Sequence, residues 1–293
     1  MASTAAVVDW VIAHEVVVRF ACFAAVFALI GAWEACRPAR ARKLSRLLRW
    51  TNNLGLVALG TVLLRVLFPA AAAGMAAVAA AQGWGLLHYA APPFWLAVLV
   101  SVIVLDFVIW LQHVMVHAIP LLWRLHRVHH ADPDYDLTTG ARFHPLEILL
   151  SMLIKFAAIV LLGPPVVAVI LFEVLLNATA MFNHANARLP ARLDRLLRWF
   201  VVTPDMHRVH HSVEDDETNT NFGFNLPWWD RLCGTYRDQP RAGHVAMRIG
   251  IHGFDDPRDV TWLPGLLTLP LRGRISGYAI NRRRWTDTED APR

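Results

Sequence analysis

The segment "FWLAVLVSVIVLDFVIWLQHVMVH", residues 94–117, decides what kind of protein this chain forms. Residues 94–112 are almost entirely apolar, and a helix of about 20 such residues crosses the hydrocarbon core of a bilayer. His113 and His117 follow at i and i+4, which places both imidazoles on the same side of the helix. The sequence therefore predicts a membrane-spanning helix that presents two histidines at one membrane face.

The composition of the whole chain is that of a membrane protein. Hydrophobic residues make up 56% of the 293 residues and charged residues only 17%, whereas soluble domains average roughly 45–50% apolar and about 25% charged residues. The three cysteines form no CxxC motif and no even-numbered set. We therefore expect free thiols rather than a disulfide framework.

Further apolar segments accompany the first one: residues 16–34, 54–81, 146–162 and 166–182. The last two are separated by Gly163, Pro164 and Pro165, which end one helix and start the next. We predict an all-α integral membrane bundle of about three spans plus a helical hairpin, with a cytosolic histidine-rich cap.

Basic residues in the short loops predict the orientation of this bundle. Residues 35–50 contain six Arg or Lys residues, whereas residues 82–93 contain none. Cytoplasmic loops carry the excess of Lys and Arg, so we place residues 82–93 outside. The cytoplasmic segments would then be residues 37–50, 118–145 and 183–293.

Two amphipathic stretches, residues 40–50 and 189–200, lie close to the predicted spans. The second carries leucines and Phe200 on one helical face and arginines on the other. Both an interfacial helix at the membrane surface and an ordinary cytosolic helix packed on protein would show this pattern.

Nine of the 14 histidines concentrate at the predicted cytoplasmic face. The pentapeptide HRVHH occurs at residues 126–130 and again at 207–211, and the i, i+3, i+4 spacing turns three imidazoles of each copy toward one helix face. Such clusters are costly to bury unless something binds them, so we predict a metal site with the two copies as opposing walls of one cage. The nine residues are His113, His117, His126, His129, His130, His184, His207, His210 and His211.

The residue types narrow the choice of metal. Nine nitrogens exceed the four ligands of a tetrahedral zinc ion. The zinc protease motif HExxH is absent because Val114 follows His113, and no cysteine ligand of the zinc deaminase type lies near. Two iron ions with positions open for dioxygen match best. A membrane metal-transport or metal-storage protein with the same histidines is the alternative.

Polar neighbours are candidates for supporting roles: Asp106, His144, Asn183 and Asn186. Asp106 lies two turns before His113 and either accepts an imidazole N–H, which would fix the tautomer, or makes a hydrogen bond between helices. His144 is a candidate extra ligand or orienting group. The two asparagines flank His184 and are candidates for orienting it or a metal-bound water. We predict no catalytic residue beyond the metal ligands.

The histidine motifs HxxxH, HxxHH and HxxHH, with "RFHPLE", "FNHANARLP" and "TPDMHRVHHSVEDDETNTNFGFNLPWWDRLCGTY", resemble the fatty acid hydroxylase superfamily, also called the sterol desaturase family, over about residues 95–238. Val114 departs from the pattern, because members usually carry Arg or Lys there. The segment 221–236 is expected to seal the site from below. The resemblance implies that His184 lies close to the metals and that the ligands are His113, His117, His126, His129, His130, His207, His210 and His211.

The same resemblance implies a non-haem di-iron oxygenase that hydroxylates or desaturates a membrane lipid, with dioxygen as co-substrate. Because the sequence has no HPGG haem motif, electrons would come from an external ferredoxin or cytochrome b5 type donor. We expect a lipid partner that enters through an apolar tunnel between residues 54 and 182, and no nucleic acid. Hydroxylation is favoured because it needs one hydrogen abstraction, but no motif identifies the lipid.

Three regions follow from this interpretation. They are residues 1–93 with the N-terminal transmembrane helices and the basic cytoplasmic loop, residues 94–240 as the catalytic domain, and residues 241–293 as a cytosolic C-terminal tail whose residues 281–293 are polar.

Overall fold

Long apolar helices form the body of the molecule. The structure, a computed structural model, describes residues 4–273, and this part of the chain contains helices and no strands. The prediction of an all-α membrane bundle is confirmed, and both helices of the predicted hairpin are themselves long enough to span. The candidate spans are Glu15–Cys36, Arg46–Gln82, Phe94–Ala118, Pro145–Leu162 and Val166–Asn183. The polar segment 281–293 lies outside the described residues.

Short helices connect the long ones and build the part of the molecule beyond the spans. In chain order the α-helices are α1 Thr4–Ala13, α2 Glu15–Cys36, α3 Arg46–Leu67, α4 Ala71–Gln82, α5 Leu86–Ala90, α6 Phe94–Ala118, α7 Pro120–His130, α8 Pro145–Leu162, α9 Val166–Asn183, α10 Ala191–Leu197, α11 Pro204–His210, α12 Asp215–Thr218, α13 Trp228–Leu232, α14 Gly243–Ala246, α15 Pro257–Thr261 and α16 Leu263–Thr268.

The turn between α8 and α9 follows directly from its sequence. Gly163 adopts a left-handed conformation with φ of 68° and caps α8. A Cβ atom at this position would also collide with the carbonyl oxygen of Trp84. Pro165 lies at the N-cap of α9, so the helix restarts immediately. The hairpin thus returns the chain to the end of the bundle where α8 began.

The second apolar segment, predicted as one span over residues 54–81, is divided into α3 and α4. Pro69 follows Phe68, and a residue before proline is disfavoured in the helical region. Phe68 accordingly adopts φ of −132° and ψ of 70°, which ends α3 at Leu67.

The two amphipathic stretches differ from the sequence prediction. Residues 40–45 are not helical, and α3 begins only at Arg46. Ser45 is the N-cap of α3, since its side chain accepts a hydrogen bond from the Leu48 N–H. In the second stretch only α10 is helical. Leu196 and Phe200 are exposed there, whereas Arg198 turns inward and pairs with Asp194.

A buried arginine fastens the start of α3 to the segment after the first HRVHH copy. The side chain of Arg49 is inaccessible to solvent. Its Nε donates to Asp132 Oδ1 over 2.9 Å, its Nη2 donates to Asp132 Oδ2 over 2.6 Å, and its Nη1 contacts Asp136. Burial raises the pKa of Asp132, but the guanidinium groups of Arg49 and Arg142 outweigh it and lower the pKa below its ordinary value. Asp132 is therefore held as an anion two residues after His130.

The two larger clusters of buried apolar side chains in residues 4–273 position the helices. The first joins α4, α6, α8 and α9 through residues such as Ile109, Phe172 and Phe224, so the helices expected to enclose a tunnel pack a core between them. The second joins Leu56 and Trp123 to Leu266 and other residues near the C-terminal end of the described chain. Part of the predicted C-terminal tail therefore belongs to the folded body.

Candidate metal centre

All nine predicted histidines lie together in the interior, and none is more than 2% exposed. They divide into two groups, in each of which one nitrogen atom per ring lies within 4.8 Å of the others. The five-histidine group consists of His113, His117, His126, His130 and His210. The four-histidine group consists of His129, His184, His207 and His211.

Each HRVHH copy contributes histidines to both groups, as two opposing walls of one cage would. In the first copy, His126 and His130 join the five-histidine group, whereas His129 belongs to the other. In the second copy only His210 joins the five-histidine group. The groups adjoin each other, since the ring centroids of His130 and His211 lie 4.6 Å apart. The repeated pentapeptide thus bridges two neighbouring sites.

Hydrogen bonds from Nδ1 fix the orientation of several rings. His113 and His210 donate from Nδ1 to the carbonyl oxygens of Phe222 and Thr220, each over 2.7 Å. His117 donates to Asn219 Oδ1 over 3.3 Å. His184 donates to the carbonyl oxygen of Ala180 over 2.7 Å. A neutral imidazole that donates from Nδ1 carries its lone pair on Nε2.

The Nε2 atoms of these rings face each other inside the groups. His113 Nε2 lies 3.1 Å from His126 Nε2, and both rings donate from Nδ1. Two lone pairs at this distance repel each other, and a cation between them removes the repulsion. The Nε2 atom of His210 is buried without a hydrogen-bond partner among residues 4–273. The donor set therefore fits metal ions.

Burial keeps the imidazoles beyond the spans neutral. It lowers the pKa of each ring well below the ordinary value of a histidine, and the neighbouring imidazoles lower the pKa further. For His184, burial lowers the pKa to about 3. Metal ligation requires neutral imidazole, so the rings need not lose a proton to bind an ion. The rings with strongly lowered pKa are His129, His130, His207, His210 and His211.

Sequence reasoning missed the carboxylate that touches the five-histidine group. Glu147, in the first turn of α8, accepts a hydrogen bond from His126 Nδ1 over 2.6 Å. A carboxylate behind a ligating histidine fixes its tautomer and raises its basicity. The motif RFHPLE contained this residue, but nothing in its spacing indicated a contact with α7.

Asp106 makes a different contact from the one predicted. Its Oδ2 accepts a hydrogen bond from Trp229 Nε1 over 2.8 Å, whereas His113 Nδ1 donates to Phe222. Seven residues along a helix correspond to about 10 Å, so the carboxylate reaches a side chain of α13 rather than the imidazole. The predicted contact with His113 is wrong, and the alternative of a hydrogen bond between helices is the one observed.

His144 caps a helix and belongs to neither histidine group. Its Nδ1 accepts from the Leu146 N–H over 3.2 Å, and its Nε2 lies 3.3 Å from the carbonyl oxygen of Leu267, to which it donates. Both nitrogens are thus occupied, which contradicts the suggestion that His144 is a ligand.

Replacing His144 by alanine should weaken the fold and leave the metal content unchanged. Loss of an N-cap costs about 0.5–2 kcal/mol, and His144→Asn should recover part of this because asparagine also caps helices. Denaturation in detergent and metal analysis of both variants would measure the two quantities. A loss of metal in His144→Ala at unchanged stability would contradict this assignment.

The two asparagines beside His184 fasten the backbone instead of orienting that ring. Asn183 Nδ2 donates to the carbonyl oxygen of Phe224 over 2.9 Å. Asn186 Oδ1 accepts from the Arg40 N–H over 2.9 Å, and Asn186 Nδ2 donates to the Arg40 carbonyl oxygen over 3.0 Å. The expected orienting role of both residues is therefore corrected, because their amides serve chain segments distant in sequence.

Known proteins share the histidine-bearing part of the chain. The fatty acid hydroxylase family model matches residues 98–235. Ornithine lipid hydroxylase OlsE of Rhizobium tropici is 30% identical over 162 residues, which are 55% of this chain and 47% of that protein. Alkylglycerol monooxygenase of Xenopus tropicalis is 30% identical over 135 residues, 45% of this chain and 28% of that protein. Cholesterol 25-hydroxylase of Rattus norvegicus is 23% identical over 148 residues, 50% of this chain and 48% of that protein.

The matched region spans about half the length of the first and third of these relatives and less of the second. No solved structure matches the chain.

Proposed function

We propose that this chain, which belongs to the fatty acid hydroxylase superfamily through residues 98–235, binds two iron ions at its nine histidines and hydroxylates a membrane lipid with dioxygen. The facing Nε2 atoms of His113 and His126 are the single observation that carries the metal site. The names of the relatives, which include hydroxylases and a monooxygenase, support the reaction class.

Iron accounts for both the donor set and the reaction. Imidazole suits zinc, copper, iron and nickel, but zinc has no redox chemistry and would not serve a monooxygenase. Bound iron would supply the one-electron and dioxygen chemistry that side chains lack. Both groups contain only imidazole donors, so the positive charge of the ions would not be neutralised by their ligands.

The chain's own residues would hold the ligands and exclude water. The carboxylate of Glu147 keeps the proton of His126 on Nδ1, and the carbonyl oxygens of Phe222 and Thr220 do the same for His113 and His210. Because the rings are buried, bulk water has no direct access to the Nε2 atoms.

A lipid substrate agrees with the position of the site. His113 and His117 lie at the C-terminal end of α6 and His184 directly follows α9, so the groups lie at the ends of candidate spans. The ring of Phe224, a member of the first apolar cluster, lies 4.9 Å from the His113 ring. An apolar chain from the bilayer would therefore meet apolar side chains up to the histidines, although some of them must move to admit it.

Mass spectrometry of lipids under oxygen-18 gas tests the reaction. Cells that produce the protein should accumulate a lipid that has gained one labelled oxygen atom, and cells with the His210→Ala variant should not. A product that has lost two hydrogens would show that the reaction is desaturation and not hydroxylation. An unchanged lipid profile in cells with iron-loaded protein would contradict lipid oxidation altogether.

An external ferredoxin or cytochrome b5 type protein would deliver the electrons. The reaction consumes two electrons for each oxygen atom inserted, and the nine histidines provide no electron source. Oxygen consumption by the purified protein should therefore require an added donor system of one of these two kinds.

We also predict the orientation in the membrane. The basic loop before α3 would face the cytoplasm together with the histidines, and residues 82–93 would face outward, because the first segment is rich in Arg and Lys and the second has none. Reporter fusions in residues 82–93 and at residue 240 should therefore appear on opposite sides. Detection of both reporters on the same side would contradict this orientation.

A further inference from the structure

The rings of the five-histidine group depend on one short loop for their orientation. Asn219, Thr220 and Phe222 each present an oxygen atom to the Nδ1 of a different ring, those of His117, His210 and His113 respectively. We call residues 219–223 the orienting loop. Since two of these three contacts come from backbone carbonyls, the position of the loop backbone decides where the rings point.

A buried carboxylate holds the Phe222–Gly223 end of this loop. Asp230, which is inaccessible to solvent, accepts the Phe222 N–H at Oδ1 over 2.9 Å and the Gly223 N–H at Oδ2 over 2.8 Å. It also accepts hydrogen bonds from Thr235 Oγ1 over 2.7 Å and from Trp110 Nε1 over 3.0 Å. The peptide unit between Phe222 and Gly223 thus binds Asp230 through its N–H and His113 through its carbonyl oxygen.

The carboxylate also links the loop to the helix that carries the histidines. Trp110 lies on α6 three residues before His113, and it donates to Asp230 on α13. In the reverse direction Trp229 on α13 donates to Asp106 on α6. Two reciprocal tryptophan–carboxylate hydrogen bonds therefore fix α13 against α6.

The close approach of Asp230 explains the glycine in the loop. A Cβ atom at Gly223 would lie 3.0 Å from Asp230 Oδ2 and 2.8 Å from the carbonyl oxygen of Leu226. Both distances are too short for an ordinary contact, so a larger residue would push the loop away from the carboxylate. The glycine thus allows the loop to approach Asp230, the Leu226 carbonyl and the side chain of Val202 together.

We propose that Asp230 is a positioning residue for the five-histidine group, and that it sets the metal affinity of this group by holding the orienting loop. The inference rests on the proposed metal site, which it deepens. Asp230 does not touch the histidines that it positions. It acts on His113 through the Phe222–Gly223 peptide unit, and it binds Thr235, whose carbonyl accepts the N–H of the Thr220–Asn221 peptide unit. In the four-histidine group His184 donates to the Ala180 carbonyl of α9 instead, and His207 faces the loop through the Asn221 backbone.

Anaerobic titration of the full-length metal-free protein with ferrous iron, against a competing chelator, tests this role. The wild type should show two binding steps. In Asp230→Asn an amide N–H₂ replaces the acceptor of the Gly223 N–H, so one step should weaken by about 10- to 100-fold, the usual effect of losing an outer partner of a metal ligand. The other step should stay within a factor of about two of the wild type.

The matched control is Asp194→Asn. Asp194 is also a buried carboxylate; it lies on α10 and pairs with Arg198, the residue that follows this helix. This variant should lose stability without a shift in either binding step. Trp110→Phe is the milder second variant, since it removes one donor to Asp230 and keeps an aromatic ring; it should weaken the same step by a smaller factor.

Three results would overturn the inference. The first is that neither binding step weakens in Asp230→Asn or in Trp110→Phe. The second is that both steps weaken equally in Asp230→Asn. The third is that Asp194→Asn weakens a step by as much as Asp230→Asn does. A wild-type protein that binds no iron would overturn the proposed metal site as well, which distinguishes the two failures.

Discussion

Replacing His210 by alanine is expected to abolish lipid oxidation and to release the ion of the five-histidine group. His129→Ala should release the ion of the four-histidine group and abolish oxidation in the same way. Each variant removes one nitrogen from a buried set whose members lie within 4.8 Å of one another, and alanine brings no ligand atom to replace it. Because dioxygen activation is proposed to need both ions, loss of either one should stop the reaction.

Iron analysis and product analysis of the purified variants would measure these effects. His252→Ala is the control, since His252 is exposed and belongs to neither group, and it should keep both iron and activity. Full retention of iron in both His210→Ala and His129→Ala would refute the ligand assignment.

Replacing Arg49 by methionine is expected to lower the free energy of unfolding by about 3–5 kcal/mol, because removal of one partner leaves buried charges unpaired. Asp132 and Asp136 both contact Arg49, and all three side chains are buried. Urea or thermal denaturation in detergent should show the loss. Arg42→Met, in the same basic segment 37–50 but exposed and outside α3, should change the stability by less than about 0.5 kcal/mol. A similar small change in Arg49→Met would contradict the importance of this network.

The sequence predicted the histidines because their pattern is local. The pairs His113 with His117 and His126 with His130 follow from helical spacing alone, and the structure brings both pairs into one group. The division of each HRVHH copy between two groups was not predictable in this way. It depends on how α7 and α11 cross α6 and α9, which is set by packing between segments far apart in the chain.

The partners of the rings were harder to predict than the rings. The Nδ1 of His113 donates to a backbone carbonyl 109 residues away, and every residue of the chain has such a carbonyl. Asp106 has the helical spacing expected for a contact with His113, but its carboxylate accepts a hydrogen bond from the indole N–H of Trp229 on α13. Local spacing shows which side chains share a helix face, and only the tertiary structure shows what lies opposite that face.

Arg49 illustrates the same limit for charged residues. In the sequence it is one of six basic residues in a loop beside the membrane, and such residues usually face solvent or lipid headgroups. The carboxylates that bury it come from residues 132–136, after α7. No pattern near Arg49 distinguishes it from its exposed neighbour Arg42.

Mössbauer spectroscopy of the iron-57-loaded wild-type protein, combined with iron counting, tests the central claim most directly. We expect two iron ions per chain, both in nitrogen-rich environments, which persist through purification and respond to dioxygen after reduction. One ion or none per chain would contradict a di-iron centre. Ions that exchange rapidly with zinc and other divalent metals would indicate instead that the same histidines serve metal transport or storage.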